Sequence, residues 1–160
     1  MMNEVFYKEL RNSMHQMREE ITDVSEIEGI FLDSIRELTR LLIVARREGL
    51  LQLDVEIEEE SVSNLKLRDD LVWLIEMVTN GVDEDMFENL GLVRYYSKAY
   101  CGWKGVLYLM YLEVAFFMKH AELPYVMKLM VEALFPDSIG KNIGSLIDGW
   151  ETDCITNTRT

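Results

Sequence analysis

Apolar residues recur at three- and four-residue steps along most of this chain, which is the spacing of amphipathic α-helices. One such stripe covers residues 3–22. An acidic link over residues 23–29 follows, and a second, long stripe begins near Asp33 or Ser34, either of which suits a helix cap. This second stripe continues to Leu53. The pattern therefore predicts two amphipathic helices in the first part of the chain.

The middle of the chain has a further helical pattern and clear helix boundaries. Residues 65–78 are apolar on more than half of the helix surface, so a helix there is predicted to be central. The pair Asn80-Gly81 is typical of a left-handed helix end. Asp83 is predicted to cap the next helix, which runs towards Ser97.

The most apolar stretch, residues 106–118, is interrupted by Glu113 and follows a glycine-punctuated link. Because a bilayer span needs about 20 apolar residues, this stretch predicts a buried or groove-lining helix. Pro124 suits the first turn of a further helix. A last amphipathic helix over residues 139–150 precedes a polar tail, residues 153–160, which is predicted to be disordered.

The composition favours helices and limits the classes of partner. The chain has 160 residues, of which 49% are hydrophobic and 2 are proline. It is therefore predicted to be all-α, a single-domain bundle of six or seven helices over residues 1–152. The formal net charge of -13 would repel nucleic-acid phosphates and anionic lipid heads, so neither nucleic acid nor membrane insertion is predicted. The N-terminal residues lack the apolar core of a secretory signal, which predicts a cytoplasmic location.

Residues that could support catalysis or bind a metal are isolated in the sequence. His15 and His120 have no partner at metal-binding spacing, and Cys101 and Cys154 form no CxxC pair. The sequence has no phosphate-binding glycine loop and no nucleophile motif. It therefore predicts no enzyme activity, no metal site and no cofactor.

Charged side chains form a line on the outer face of the second predicted helix. Arg36, Arg40 and Arg47 share this face with Asp54 and Glu58, so that a positive half is followed by a negative half. Such a ridge either keeps a helix soluble or docks a partner. The sequence leaves both alternatives open.

A second concentration of unusual residues is aromatic and lies between the middle of the chain and its most apolar helix. Its members are Tyr95, Tyr96, Tyr100, Trp103, Tyr108 and Tyr111. Several methionines follow this aromatic group. The combination is typical of a ligand cavity, and equally of an ordinary core beside a partner-binding groove.

Residues 41–54 (LLIVARREGLLQLD) resemble the cytoplasmic loop of MotA-type flagellar stator subunits. In that family an apolar helix is followed by Ala-Arg-x-x-Gly, two apolar residues, a spacer, and Leu with an acid. The resemblance continues through residues 66–91, where Asn-Gly-Val-Asp-Glu-Asp is similar to the family's Asp-Gly-x-Asp-Pro-Glu turn. In all it covers residues 33–91.

In MotA-type subunits this loop reaches the rotor's switch ring through charged residues. The matching positions here are Arg46 and Asp54, with Arg47 and Glu48 as neighbours, and the acid is Asp where Glu is usual. The four membrane-spanning helices of the stator channel have no counterpart in this chain. The resemblance therefore implies a stand-alone relative of the cytoplasmic module, which contacts a motor component, regulates a stator or acts outside motility.

These observations predict a protein-interaction module that docks a protein partner through its charged helix. The alternative is a small-molecule-binding or sensory domain that uses the aromatic group and the methionines within residues 95–130. Assembly into a homo-oligomer is also left open by the sequence.

Overall fold

The protein is described by a computed structural model that covers residues 2–135 and 137–158. These residues form nine α-helices and one 3-10 turn, Leu50–Gln52, between the second and third α-helices. The α-helices are α1 (Glu4–Glu20), α2 (Val24–Glu48), α3 (Leu53–Glu56), α4 (Glu60–Ser63), α5 (Arg68–Thr79), α6 (Glu84–Lys98), α7 (Gly102–Lys119), α8 (Tyr125–Leu134) and α9 (Asp137–Thr158).

The prediction of an all-α protein is confirmed. The predicted number of six or seven helices describes only the longer ones, because seven of the nine described α-helices have ten or more residues. The other two, α3 and α4, have four residues each. Helix α9 continues to Thr158 through most of the segment predicted to be a disordered tail, and residues 159–160 lie outside the described residues.

Helix α2 begins earlier than the sequence pattern predicted. The Asp23 side chain accepts a hydrogen bond from the backbone N–H of Ser25 and so caps the helix at Val24. The predicted acidic link is therefore wrong, since residues 24–29 form the first turns of α2. The apolar side chains within residues 24–29 continue the apolar stripe of α2. The helix therefore includes the polar residues that lie between them.

Helix α2 ends at Glu48, and Gly49 follows it at a position where the predicted long helix was expected to continue. Gly49 has a φ of 93°, a left-handed conformation that glycine adopts without steric cost. The chain turns there into the 3-10 segment and then α3. The prediction of one uninterrupted charged ridge from Arg36 to Glu58 is therefore wrong.

The boundaries predicted around α6 are confirmed. Helix α5 ends at Asn80, and Gly81 follows with a φ of 71°. The Asp83 side chain accepts a hydrogen bond of 2.9 Å from the backbone N–H of Met86 and caps α6. Both features place a polar turn between two helices that pack against each other.

Helix α7 forms the centre of the fold, with α1, α2, α5 and α6 packed against it. All residues from 105 to 116 are buried, including the carboxyl-bearing Glu113. A close approach at Gly105, where an added Cβ would lie 2.3 Å from Ser13 Oγ, brings α1 near α7. Over residues 2–135 and 137–158, no helix is both long and apolar enough to cross a bilayer.

Candidate functional site

The basic end of α2 and the acidic segment after Gly49, residues 54–58, both carry exposed charged side chains. Arg46, Arg47 and Glu48 are exposed in the last turn of α2, and Asp54 and Glu58 are exposed beyond the turn. We call these five residues the charged surface. The turn at Gly49 places the two groups on separate elements, and the sequence alone gave no indication of that arrangement.

Arg40 belongs to the predicted ridge, but its side chain makes hydrogen bonds that connect two helices of the protein. Its Nε donates to Glu37 Oε2 at 2.8 Å, and its Nη1 donates to Glu56 Oε2. Glu37 is on α2 and Glu56 is on α3, so the Arg40 side chain, which is 27% exposed, ties α3 to α2. Charge-assisted hydrogen bonds of this kind hold their partners more firmly than neutral ones.

Arg46 and Arg36 also make contacts within the chain. The Nη1 of Arg46 donates to the carbonyl of Ala121 at 2.9 Å, which links the end of α2 to the connection after α7. The Arg36 guanidinium lies 5.9 Å from the ring centroid of Trp150 on α9, a cation–π distance. Both arginines remain exposed, so each keeps a surface that a partner can reach.

The six residues of the aromatic group do not line one cavity. The hydroxyls of Tyr108 and Tyr111 are in the core and donate to the carbonyls of Gly91 and Lys66, at 2.5 and 2.6 Å. Trp103 is half-buried and lies under the Lys104 ammonium at 5.7 Å. These residues fill the interior and its edge, and the hydroxyls of the two tyrosines are already bonded within the chain.

The remaining three tyrosines border a small polar pocket between α1 and α6. Tyr95, Tyr96 and Tyr100 line a space of about 220 Å³. The Tyr95 hydroxyl is bonded to Ser13 Oγ at 2.7 Å, and that of Tyr96 donates to Glu9 at 2.9 Å. Since each hydroxyl has its own partner in the chain, the group does not converge on a shared ligand position.

The third of these tyrosines belongs to a buried polar cluster that the sequence did not reveal. Asp70, with a side chain 3% exposed, accepts from Arg94 Nε at 2.7 Å and from the Tyr100 hydroxyl at 2.5 Å. The Arg94 guanidinium also stacks on Trp73 at 4.6 Å from the ring centroid. Burial and the hydrogen bond to Asp70 raise the pKa of Tyr100 to about 12. The cluster is a satisfied structural link between α5, α6 and the start of α7.

An apolar groove is the other feature that the sequence did not place. Helix α7 forms its floor, α1 and α8 form its walls, and its volume is about 470 Å³. Glu113, 8% exposed, lies on the floor and accepts a hydrogen bond from the Tyr7 hydroxyl at 3.1 Å. Burial raises the pKa of Glu113 above its ordinary value, and this hydrogen bond partly opposes the rise. The only sequence signal was the single acid within the apolar run of residues 106–118.

Burial and the neighbouring Glu113 carboxylate also raise the pKa of Tyr7, to about 12. The hydroxyl therefore stays protonated at neutral pH and keeps donating to Glu113. Among the described residues that line the groove, there is no nucleophile and no acid–base group besides this pair. Its geometry is that of a polar anchor in an apolar binding surface.

The histidines and cysteines are not brought together with these features. His120 Nε2 lies 2.6 Å from Glu84 Oε1, and His15 Nε2 lies 3.9 Å from Glu19 Oε1, both at the protein surface. Cys101 is exposed and Cys154 is half-buried. Within the described part of the chain, no group of three or more His, Cys, Asp or Glu residues is arranged to hold a metal ion.

Known proteins add no further assignment to these sites. The chain matches no protein-family model, and neither the curated proteins nor the solved structures contain one that is similar to it. The resemblance of residues 33–91 to the MotA-type cytoplasmic loop therefore rests on the residues quoted for it.

Proposed function

We propose that this chain is a non-catalytic protein-interaction module that docks a protein partner through its charged surface. The observation that carries the proposal is the exposure of all five residues of that surface, Arg46, Arg47, Glu48, Asp54 and Glu58. Arg46 and Asp54 are the positions that match the contact residues of MotA-type stator loops. A cytoplasmic motor component is the partner class that this resemblance suggests.

Charge complementarity is the expected mechanism of docking. Exposed charges at an interface mainly set partner specificity and the association rate, and their effect weakens as salt screens them. Two opposite charge groups side by side also fix the orientation of a partner that carries the reverse pattern. Arg40 contributes indirectly, because its bonds to Glu37 and Glu56 hold α3 beside α2.

The alternative, a small-molecule-binding or sensory domain built on the aromatic group, has less support. The hydroxyls of Tyr95, Tyr96, Tyr100, Tyr108 and Tyr111 each bond to an atom of the chain. The pocket of about 220 Å³ includes only three of these tyrosines, Tyr95, Tyr96 and Tyr100, so the aromatic group as a whole does not enclose a ligand. We therefore favour a protein partner.

The experiment measures binding of a purified flagellar rotor switch-ring protein, by calorimetry at low and at physiological salt. Arg46→Glu and Asp54→Lys should each weaken binding by about tenfold, equivalent to about 1.4 kcal/mol. The weaker variants should also depend less on salt. Arg11→Glu, a reversal of an exposed charge on α1, is the matched control and should bind like the unmodified protein.

Three results are decisive. Absence of binding to the switch-ring protein would remove the motor assignment. Equal weakening by Arg46→Glu and Arg11→Glu would show that only net charge matters, and it would overturn the charged surface as the contact. Preserved binding in both the Arg46→Glu and Asp54→Lys variants would do the same.

A further inference from the structure

The apolar groove has the shape of an empty helix position. Its floor is α7, and its two walls are α1 and α8, which pack mainly on α7 and on α9 respectively. Among the residues that the structure describes, none covers the gap between α1 and α8 above α7. The described lining residues are Tyr7, Leu10, Met14, Glu113, Phe117, Val126, Leu129, Met130, Ala133 and Leu134.

The length of the groove suits about two turns of helix. On α1 the lining runs from Tyr7 to Met14, and on α8 it runs from Val126 to Leu134. At a rise of 1.5 Å per residue, each wall is about 10–12 Å long. Side chains at positions i, i+3 or i+4, and i+7 of a docked helix would span that distance.

The charge on the floor selects the kind of helix. Glu113 is the one charged side chain among the ten described residues that line the groove. Within the described residues, its one hydrogen bond is from Tyr7, so most of its acceptor capacity is unused. A covering partner that brought only apolar groups would leave a buried carboxyl poorly compensated, which is costly.

We propose that this groove binds one amphipathic helix of a partner protein, whose apolar face carries a single Lys or Arg that pairs with Glu113. This site is separate from the charged surface, because its described lining residues lie on α1, α7 and α8, and none of them belongs to α2 or to residues 50–58. The chain would then contact partners through two surfaces of different chemistry.

Charge and shape favour this occupant over two others. A second copy of the chain would carry the same overall net charge of -13 and would be repelled, whereas a basic helix is attracted by the acidic protein. A small molecule would remain largely exposed in a trough that is open along one side, since ligand pockets usually enclose most of their ligand. Leu129 of the groove wall is 48% exposed, and a docked helix would cover it.

A displayed library of amphipathic helical peptides of about 15 residues, with randomised apolar faces, tests this proposal against the full chain. The enriched peptides should share a Lys or Arg at one position of the apolar face. Replacing that residue by norleucine should weaken binding at least tenfold, as expected when a charge-assisted hydrogen bond is lost. Enrichment of peptides without a shared basic residue would overturn the proposal.

Variants of the protein locate the binding site. Ala133→Trp places a large side chain on an exposed position of the groove wall and should abolish peptide binding. Val93→Trp, at a position 62% exposed on α6, is the matched control and should leave binding unchanged. Glu113→Gln should remove the preference for the basic peptide over its norleucine version. Circular dichroism of each variant checks that it is folded.

Other outcomes assign the groove differently. Equal peptide binding by Ala133→Trp and the unmodified protein would show that the groove is not the site. Sedimentation showing a dimer that Ala133→Trp dissociates would assign the groove to a second copy and would refute the proposal. Asp54→Lys, at an exposed position outside the groove, should leave peptide binding unchanged, so failure of the groove and failure of the charged surface are distinguishable.

Discussion

The buried Asp70 cluster should contribute several kcal/mol to the free energy of unfolding. Asp70→Ala removes the acceptor of two hydrogen bonds, from Arg94 at 2.7 Å and from Tyr100 at 2.5 Å. Hydrogen bonds to charged groups contribute about 1.5–3 kcal/mol each. The Arg94 side chain is 23% exposed and keeps its contact with Trp73, so it regains part of its hydration. We therefore expect the free energy of unfolding to fall by about 3 kcal/mol, near the lower end of the summed contribution of the two hydrogen bonds.

Urea denaturation followed by circular dichroism measures this loss. Asp69→Ala is the matched control, because Asp69 lies beside Asp70 in the first turn of α5 but has a side chain that is 87% exposed. Both variants lose an acid from the helix N-terminus and gain the helix propensity of alanine, so their difference isolates the buried contacts.

A double-mutant cycle of Asp70→Ala with Tyr100→Phe should give a coupling energy of about 1–2 kcal/mol. If the free energies of unfolding of Asp70→Ala and Asp69→Ala differ by less than about 1 kcal/mol, the buried hydrogen bonds of Asp70 do not stabilise this part of the fold. The structural role assigned to the cluster would then be refuted.

Three further predictions concern glycine positions and Tyr100. Gly49→Ala should destabilise the protein by about 1 kcal/mol in urea denaturation, because its φ of 93° strains any other residue although the space around it is open. Gly105→Ala, whose Cβ would lie 2.3 Å from Ser13 Oγ, should cost about 1–3 kcal/mol. Gly29→Ala, in an open helical position, should stabilise by up to about 1 kcal/mol. A gain in both variants would show that helix propensity alone decides the effect and would contradict the close contact at Gly105. The pKa of Tyr100 is raised from 10.0 to about 12, so its contribution to stability is complete below pH 10 and is lost as the pH rises to 12. Tyr100→Phe should flatten the decline of stability in that window, and an unchanged slope would contradict the assignment.

The helical class and several helix ends followed from local signals in the sequence. The three- and four-residue spacing of apolar residues is a property of each helix by itself. The cap at Asp83 and the left-handed glycine at position 81 depend on a few adjacent residues. The break at Gly49 was missed because apolar residues continue at helical spacing beyond it, through Leu53 and Ile57, which are also buried.

The candidate sites depend on contacts between distant residues, which one sequence does not reveal. Glu113 and Tyr7 are 106 positions apart, and the groove exists because α8 leaves a space beside α1. The aromatic group looked like one site because its members are close in sequence. Helix geometry then directs Tyr108 and Tyr111 into the core, while Tyr96 faces solvent with 54% of its surface exposed.

The ion pairs of Arg40 give the charged surface a property that its exposed residues lack. By holding α3 against α2, Arg40 fixes the angle between the basic and the acidic groups before any partner arrives. A rigid pair of groups loses little conformational entropy on binding, whereas a mobile acidic segment would lose more and bind less tightly. A side chain without a direct role at the interface would thus set the entropy of association.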